Sequence, residues 1–174
     1  MNDRIRRDHL ERDAVVYVRQ SSAGQVRAHT ESTRLQIGLR DKARTLGWSQ
    51  PNVICDDLGV SAGGFAERAG FQKLVADVSL RHVGIILCFE ASRLSRNSRD
   101  WAQLFELCGH LDTLVADLDQ IYDLSIANDR LLLGIKGSVS EYELALLRQR
   151  SAEAIDAKAQ RGELQFALPA GLSW

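Results

Sequence analysis

Val83-Gly84-Ile85-Ile86-Leu87-Cys88-Phe89 is a nearly continuous apolar run, bounded by His82 and Glu90. A strand that reads this way has both faces covered, the situation of a central strand in a parallel sheet. Upstream, residues 14–19 (AVVYVR) and 53–57 (VICDD) read as two shorter strands, and residues 113–117 (TLVAD) as a fourth. Helical spacing fills the gaps between them. Leu35, Leu39, Ala43 and Leu46 make one face of a helix over 32–46, with Gly47 just past its end. Phe71, Leu74, Val75 and Val78 follow the i, i+3, i+4, i+7 pattern, and Trp101, Leu104, Phe105, Cys108 and Leu111 mark a further helix capped by Asn97 or Ser98. Strand and helix alternate. The pattern predicts an α/β fold, a three-layer sandwich with a largely parallel central sheet, whose ligand sites lie beyond the carboxyl ends of the strands.

A chain of 174 residues, 45% hydrophobic and 26% charged, is long enough to bury a core without disulfides or metal. Collagen-like, disordered and disulfide-scaffold classes are excluded. The charged start MNDRIRRDHLERD is unlike a signal peptide, no apolar run nears the ~20 residues of a membrane span, and Cys55, Cys88 and Cys108 form no CxxC pair. The expectation is a cytoplasmic protein with reduced core cysteines. Net charge is −1 and the isoelectric point about 6.4, so no global basic field captures nucleic acid. Any DNA contact is local. Of the 22 basic residues 18 are arginine, the side chain suited to bidentate phosphate recognition, although codon bias gives the same skew.

Residues 1–13 mix Arg with Asp and Glu without periodicity and read as a loose leader, followed by the α/β domain over 14–127. From 128 to 161 there is no proline, and Leu132, Ile135, Val139, Tyr142 and Leu146 recur at spacings of 3 and 4. A helix of that length runs roughly 51 Å, longer than such a domain is wide, so part of it projects as a connector or oligomerisation helix. Gly134 and Gly137 are the points where it would break, and with Ser138 and Ala145 they would let another backbone approach. Residues 162–174 read as the start of a linker.

The chain carries no GxGxxG, GxxxxGK[ST] or HExxH pattern, and His9, His29, His82 and His110 are scattered. Serine and arginine remain. In Tyr17-Val18-Arg19-Gln20-Ser21 a serine ends the first strand two residues after an arginine, so that in an extended backbone both address one ligand. Arg68 lies in a loop with Gly59, Gly63 and Gly64 after the second strand, and Arg93 and Arg96 follow the third. One hydroxyl and four guanidiniums thus fall at one edge of the sheet. The set suits phosphoryl transfer, where the main task is to stabilise negative charge. The plainer reading pairs Arg93 and Arg96 with Glu90 and Asp100 on a solvated face.

In YVRQSS with Gln25, in Gln36 of TRLQ, and in DDLGVSAGGFAERAGF, EASRLSRNSRD and EYELALLRQRSAEA, the chain resembles the serine site-specific recombinases: resolvases, invertases and large serine integrases. The resemblance runs from residue 14 in the right order and spacing. It implies a resolvase-like catalytic domain in which Ser21 attacks a DNA phosphodiester, giving a 5′-phosphoserine link and a free 3′-hydroxyl. It implies that Arg19, Arg68, Arg93 and Arg96 bind the scissile phosphate, with Tyr17, Gln25, Gln36, Asp57, Ser61 and Ser92 supporting the site and Arg150 at a matching position on the long helix. The implied partners are double-stranded recombination sites and further copies of the chain, a homodimer that becomes a tetramer in the synaptic complex. No metal, ATP or other cofactor is implied, and DNA-reading is assigned to a region beyond residue 174.

The family's usual Asp-Arg-Leu-x-Arg stands here as Ser92-Arg93-Leu94-Ser95-Arg96, and Leu144 and Gln149 replace charges frequent in relatives. A serine holds no charge at pH 7 and guanidinium does not deprotonate, so the general acid and base have no assigned residue. Two alternatives follow: a catalytically idle dimerisation module of the same fold, or an unrelated phosphate-binding α/β domain.

Overall fold

The computed structural model describes residues 3–18, 29–55, 69–89 and 98–165; within its helices the side chains of 29–33, 35, 36, 98, 99 and 101 are not described. In chain order the elements are α1 (Arg7–Leu10), β1 (Asp13–Tyr17), α2 (His29–Thr45), β2 (Asn52–Ile54), α3 (Ala69–Ser79), β3 (Val83–Leu87), α4 (Ser98–Leu111), β4 (Leu114–Ala116), β5 (Ile121–Tyr122) and α5 (Ala127–Gln160). The five strands form one sheet in the order β2-β1-β3-β4-β5. The first four are parallel, and β5 closes one edge antiparallel to β4.

All five residues of β3 are buried, as the apolar run requires of a strand covered on both sides. Successive side chains of β1 then divide between two cores. Val15 and Tyr17 join Ile86, Val115 and Tyr122 against Phe71, Leu74 and Val78 of α3, Leu104, Phe105 and Cys108 of α4, and Leu133 of α5. Ala14, Val16 and Val18 join Ile85, Leu87 and Leu114 against Leu39 and Ala43 of α2, with Ile5 and Trp48. Helices therefore cover both faces. Each large aliphatic side chain so buried stabilises the fold by roughly 1.5–3 kcal/mol relative to exposure. Cys88 and Cys108 are buried core residues and Cys55 is half-buried. Burial pushes the Cys108 thiol up to about 12, so it stays protonated at neutral pH.

The start of the chain differs from the loose leader that its charge pattern predicts. Ile5 and His9 are buried, and α1 lies against β3 at Gly84. There the β1–β3 register passes from Asp13↔Val83 to Ala14↔Ile85 and skips Gly84. A Cβ on Gly84 would sit 2.0 Å from the His9 carbonyl oxygen, so only glycine allows that approach. Charge then does what periodicity did not show. Arg12 donates to the carbonyls of Val83 (3.3 Å), Leu111 (3.1 Å) and Asp112 (2.6 Å). Arg6 pairs with Asp112, and the backbone N–H of Arg6 donates to His9 Nδ1 at 3.0 Å, which leaves His9 Nε2 to donate to Asp112 Oδ1 at 3.2 Å.

Asp112 has φ 54°, a left-handed conformation tolerated by Asp, in the turn before β4. Burial alone would raise its carboxyl, but the hydrogen bonds from Arg6 and His9 outweigh it and bring it down to about 2 from an ordinary 3.8. A depressed folded value adds stability above the unfolded value that is lost as pH falls through the folded one. Wild type should therefore exceed Asp112→Asn by up to about 2 kcal/mol above pH 4, with the gap closing between pH 4 and pH 2. Urea unfolding of both proteins across that range measures it, and a gap that does not change with pH refutes the assignment.

The chain divides into two compact units, Met1–Gly137 and Ser138–Trp174, with α5 contributing to both. The glycines do not interrupt α5, which is helical over 34 residues. Leu132 and Ile135 in the first unit, and Val139, Tyr142, Leu144, Leu147 and Ile155 in the second, are exposed. Leu146 is half-exposed. No described helix is long and apolar enough to cross a membrane.

Candidate functional site

Strands β2, β1 and β3 are adjacent and parallel, so the chain leaves all three at one edge of the sheet. Ser21, Arg19 and Gln25 belong to the segment that follows β1; Asp57, Ser61 and Arg68 follow β2; Ser92, Arg93 and Arg96 follow β3. These nine residues lie outside the described residues. What the fold establishes is the anchor of each segment. Val18 ends its described stretch with its N–H donating to Ile54 O at 3.0 Å, and Cys88 N–H donates to Ala116 O at 2.9 Å. Ala69, next in sequence to Arg68, opens α3, and Ser98, two residues after Arg96, opens α4.

Of the remaining candidates, Tyr17 ends β1 with only 2% exposure and packs edge-on against Phe71, ring centroids 6.4 Å apart. Its ring belongs to the core under that edge rather than to the surface. Gln36 lies on α2, its side chain outside the described residues. Arg150 is exposed on α5 in the second unit.

A polar cluster that the residue patterns did not single out sits at the same edge, where β4 ends. Asp117 is 2% exposed. Its Oδ1 accepts from the N–H groups of Asp119 and Gln120, both at 2.9 Å, and its Oδ2 from Tyr122 Oη at 2.7 Å and Lys136 Nζ at 3.1 Å. Lys136 also donates to Tyr122 Oη at 2.7 Å, and Lys42 of α2 donates to the carbonyls of Asp117 and Leu118. Burial would raise the Asp117 carboxyl, yet the backbone N–H groups, Tyr122 and Lys136 together hold it below its ordinary value. The bond to Tyr122 and the charge of Asp117 push Lys136 up. Carboxylate and ammonium thus both stay charged at neutral pH. Such a pair holds α2, β4 and α5 together and exchanges no proton there. Two of the chain's four lysines stand in it, an isolated cation on an otherwise apolar stretch of α5 being the signal available in the sequence.

Asp8, His9 and Asp112 bring possible ligand atoms within 4.8 Å of one another. The Arg6 guanidinium already contacts both carboxylates, so the donor set reads as an ion-pair network rather than a metal centre.

The profile of the family described as "Resolvase, N terminal domain" matches residues 14–164. The chain belongs to that family. An uncharacterised protein of Sinorhizobium fredii, y4bA/y4pH, is 51% identical over 167 residues, 95% of this chain and 24% of that relative. The chain thus spans about a quarter of the relative's length. The N-terminal catalytic domain of TP901-1 integrase is similar in structure, with TM-score 0.53 and 25% identity over 78% of this chain and 98% of that one. A resolvase family site-specific recombinase from Streptococcus pneumoniae shares the fold with TM-score 0.56 and 20% identity, over 86% and 99% of the two chains. The largely parallel α/β sheet expected from the alternation of strands and helices is observed, and so is the resolvase-like architecture that the family resemblance implies.

Proposed function

We propose that this resolvase-family chain is the catalytic domain of a site-specific DNA recombinase that cuts and rejoins DNA through Ser21. The Ser21 oxygen forms a bond to a backbone phosphorus, the bond from phosphorus to the 3′-oxygen breaks, and the serine proton leaves as the 3′-hydroxyl gains one. The 5′-phosphoserine conserves the ester, so rejoining is the reverse step and draws on no nucleotide triphosphate. Arg19, Arg68, Arg93 and Arg96 neutralise the phosphate in place of a metal. With Ser92 where relatives carry Asp, proton transfer falls to water or to the DNA.

One observation carries the reading: three adjacent parallel strands release the chain at one edge, into segments that hold the serine and all four arginines. The exposed apolar residues of α5, Val139 to Leu147, suit self-association, with a homodimer at rest and a tetramer on paired DNA sites.

The test is trapping with the full-length protein on nicked suicide DNA bearing its recombination site, in the presence of EDTA. A covalent adduct through a 5′-phosphoserine at Ser21, undiminished by EDTA, is expected. Cleavage that requires magnesium and leaves no adduct would refute the reading, whereas site binding without cleavage would favour the idle module that Ser92 also suits.

A further inference from the structure

Residues 1–13 precede the stretch that the family profile matches, yet residues 3–12 are built into the first unit. We propose that residues 3–12 form a clamp added to the family domain, in which Arg4 is a positioning residue for the first turn of α5. The Arg4 guanidinium donates to both carboxylate oxygens of Asp129, through Nη2 to Oδ1 at 3.1 Å and through Nη1 to Oδ2, and Nη1 also donates to the Ile121 carbonyl of β5. Asp129 lies in the first turn of α5 and is 5% exposed, and its Oδ2 accepts the Asp123 N–H at 2.8 Å. One carboxylate therefore joins the N-terminal segment, the β5–α5 turn and the helix. A planar fork is the group that satisfies two carboxylate oxygens and a carbonyl at once.

The other end of the clamp is anchored independently. Ile5 is buried with Leu39, Ala43 and Trp48, and Arg6, His9 and Arg12 hold the turn at Asp112. The segment thus spans from the α4–β4 turn to the start of α5. Because β5 runs antiparallel to β4, the chain leaves Tyr122 towards the amino edge of the sheet, while Lys136 meets Asp117 at the carboxyl edge. Two points define the line of a rigid helix. Arg4 supplies the first and Lys136 the second, so the N-terminal segment sets the line that α5 takes along the sheet over residues 127–137. The inference goes beyond the recombinase reading and is tested without DNA.

Amide hydrogen exchange of this chain, followed by mass spectrometry, compares wild type with Arg4→Met, Arg4→Lys, Asp129→Asn and the Arg4→Met/Asp129→Asn double variant. Arg4→Met should speed exchange across residues 123–133 about tenfold while β1 and β3 keep their wild-type rates. Arg4→Lys, which keeps the charge and loses the fork, should fall between the two. The double variant should be no faster than Asp129→Asn, because both changes remove one interaction. Wild-type exchange over 123–133 in Arg4→Met would overturn the clamp, and so would an equal acceleration across the whole sheet, which would make the segment a general part of the core. If the recombinase reading also holds, Arg4→Met should lower adduct formation by the full-length protein severalfold with sheet exchange unchanged.

Discussion

Ser21→Ala should abolish covalent adduct formation, a loss on the order of a thousandfold or more. The expected size follows from chemistry. Four arginines stabilise charge on a phosphate but none supplies an oxygen to attack it, so no neighbouring group replaces the missing hydroxyl. Alanine removes one oxygen and adds no bulk at a position that follows β1 in the chain, so folding and site binding by the full-length protein should survive. The measurement is adduct yield on suicide DNA for wild type and variant at equal site occupancy. An adduct of wild-type yield on another residue of the variant would end the assignment of Ser21.

The largest effect on stability is expected at Asp117. Asp117→Ala strips two backbone N–H groups, the Tyr122 hydroxyl and the Lys136 ammonium of a shared acceptor, and leaves the ammonium only the exposed Asp119 carboxylate, at 3.5 Å, as a charge partner. Removing one partner of a buried charge pair costs about 3–5 kcal/mol; because a third of the Lys136 side chain meets solvent, the lower end applies, about 3 kcal/mol. For a chain of this size the melting temperature should then fall by roughly 6–12 °C. Lys136→Met should cost far less, since Asp117 keeps three donors after the ammonium is gone. Thermal unfolding of the two variants decides: equal losses, or a smaller loss in Asp117→Ala, would show that the carboxylate does not organise the cluster.

The sequence determined on its own whatever rests on periodicity. Apolar runs and i, i+3, i+4 spacings depend only on which faces are covered, so the positions of β1 to β4 and of α2 to α5 followed from composition along the chain. That Ser21, Arg68, Arg93 and Arg96 belong to the segments that follow three strands in the chain was legible for the same reason, and parallel pairing puts the ends of those strands at one edge. Tertiary structure decided what depends on partners distant in the chain. β5 has two residues, too few for a period of two, and exists because β4 offers it an edge. α1 has four, and reads as a charged leader until Gly84 leaves room for the His9 carbonyl and Asp112 gathers Arg6 and His9. Asp117 with Lys136, and Arg4 with Asp129, are separated by 19 and 125 residues. A carboxylate in a sequence shows its charge but not its burial, and burial is what turns an ordinary surface ion into a fixed point of the fold.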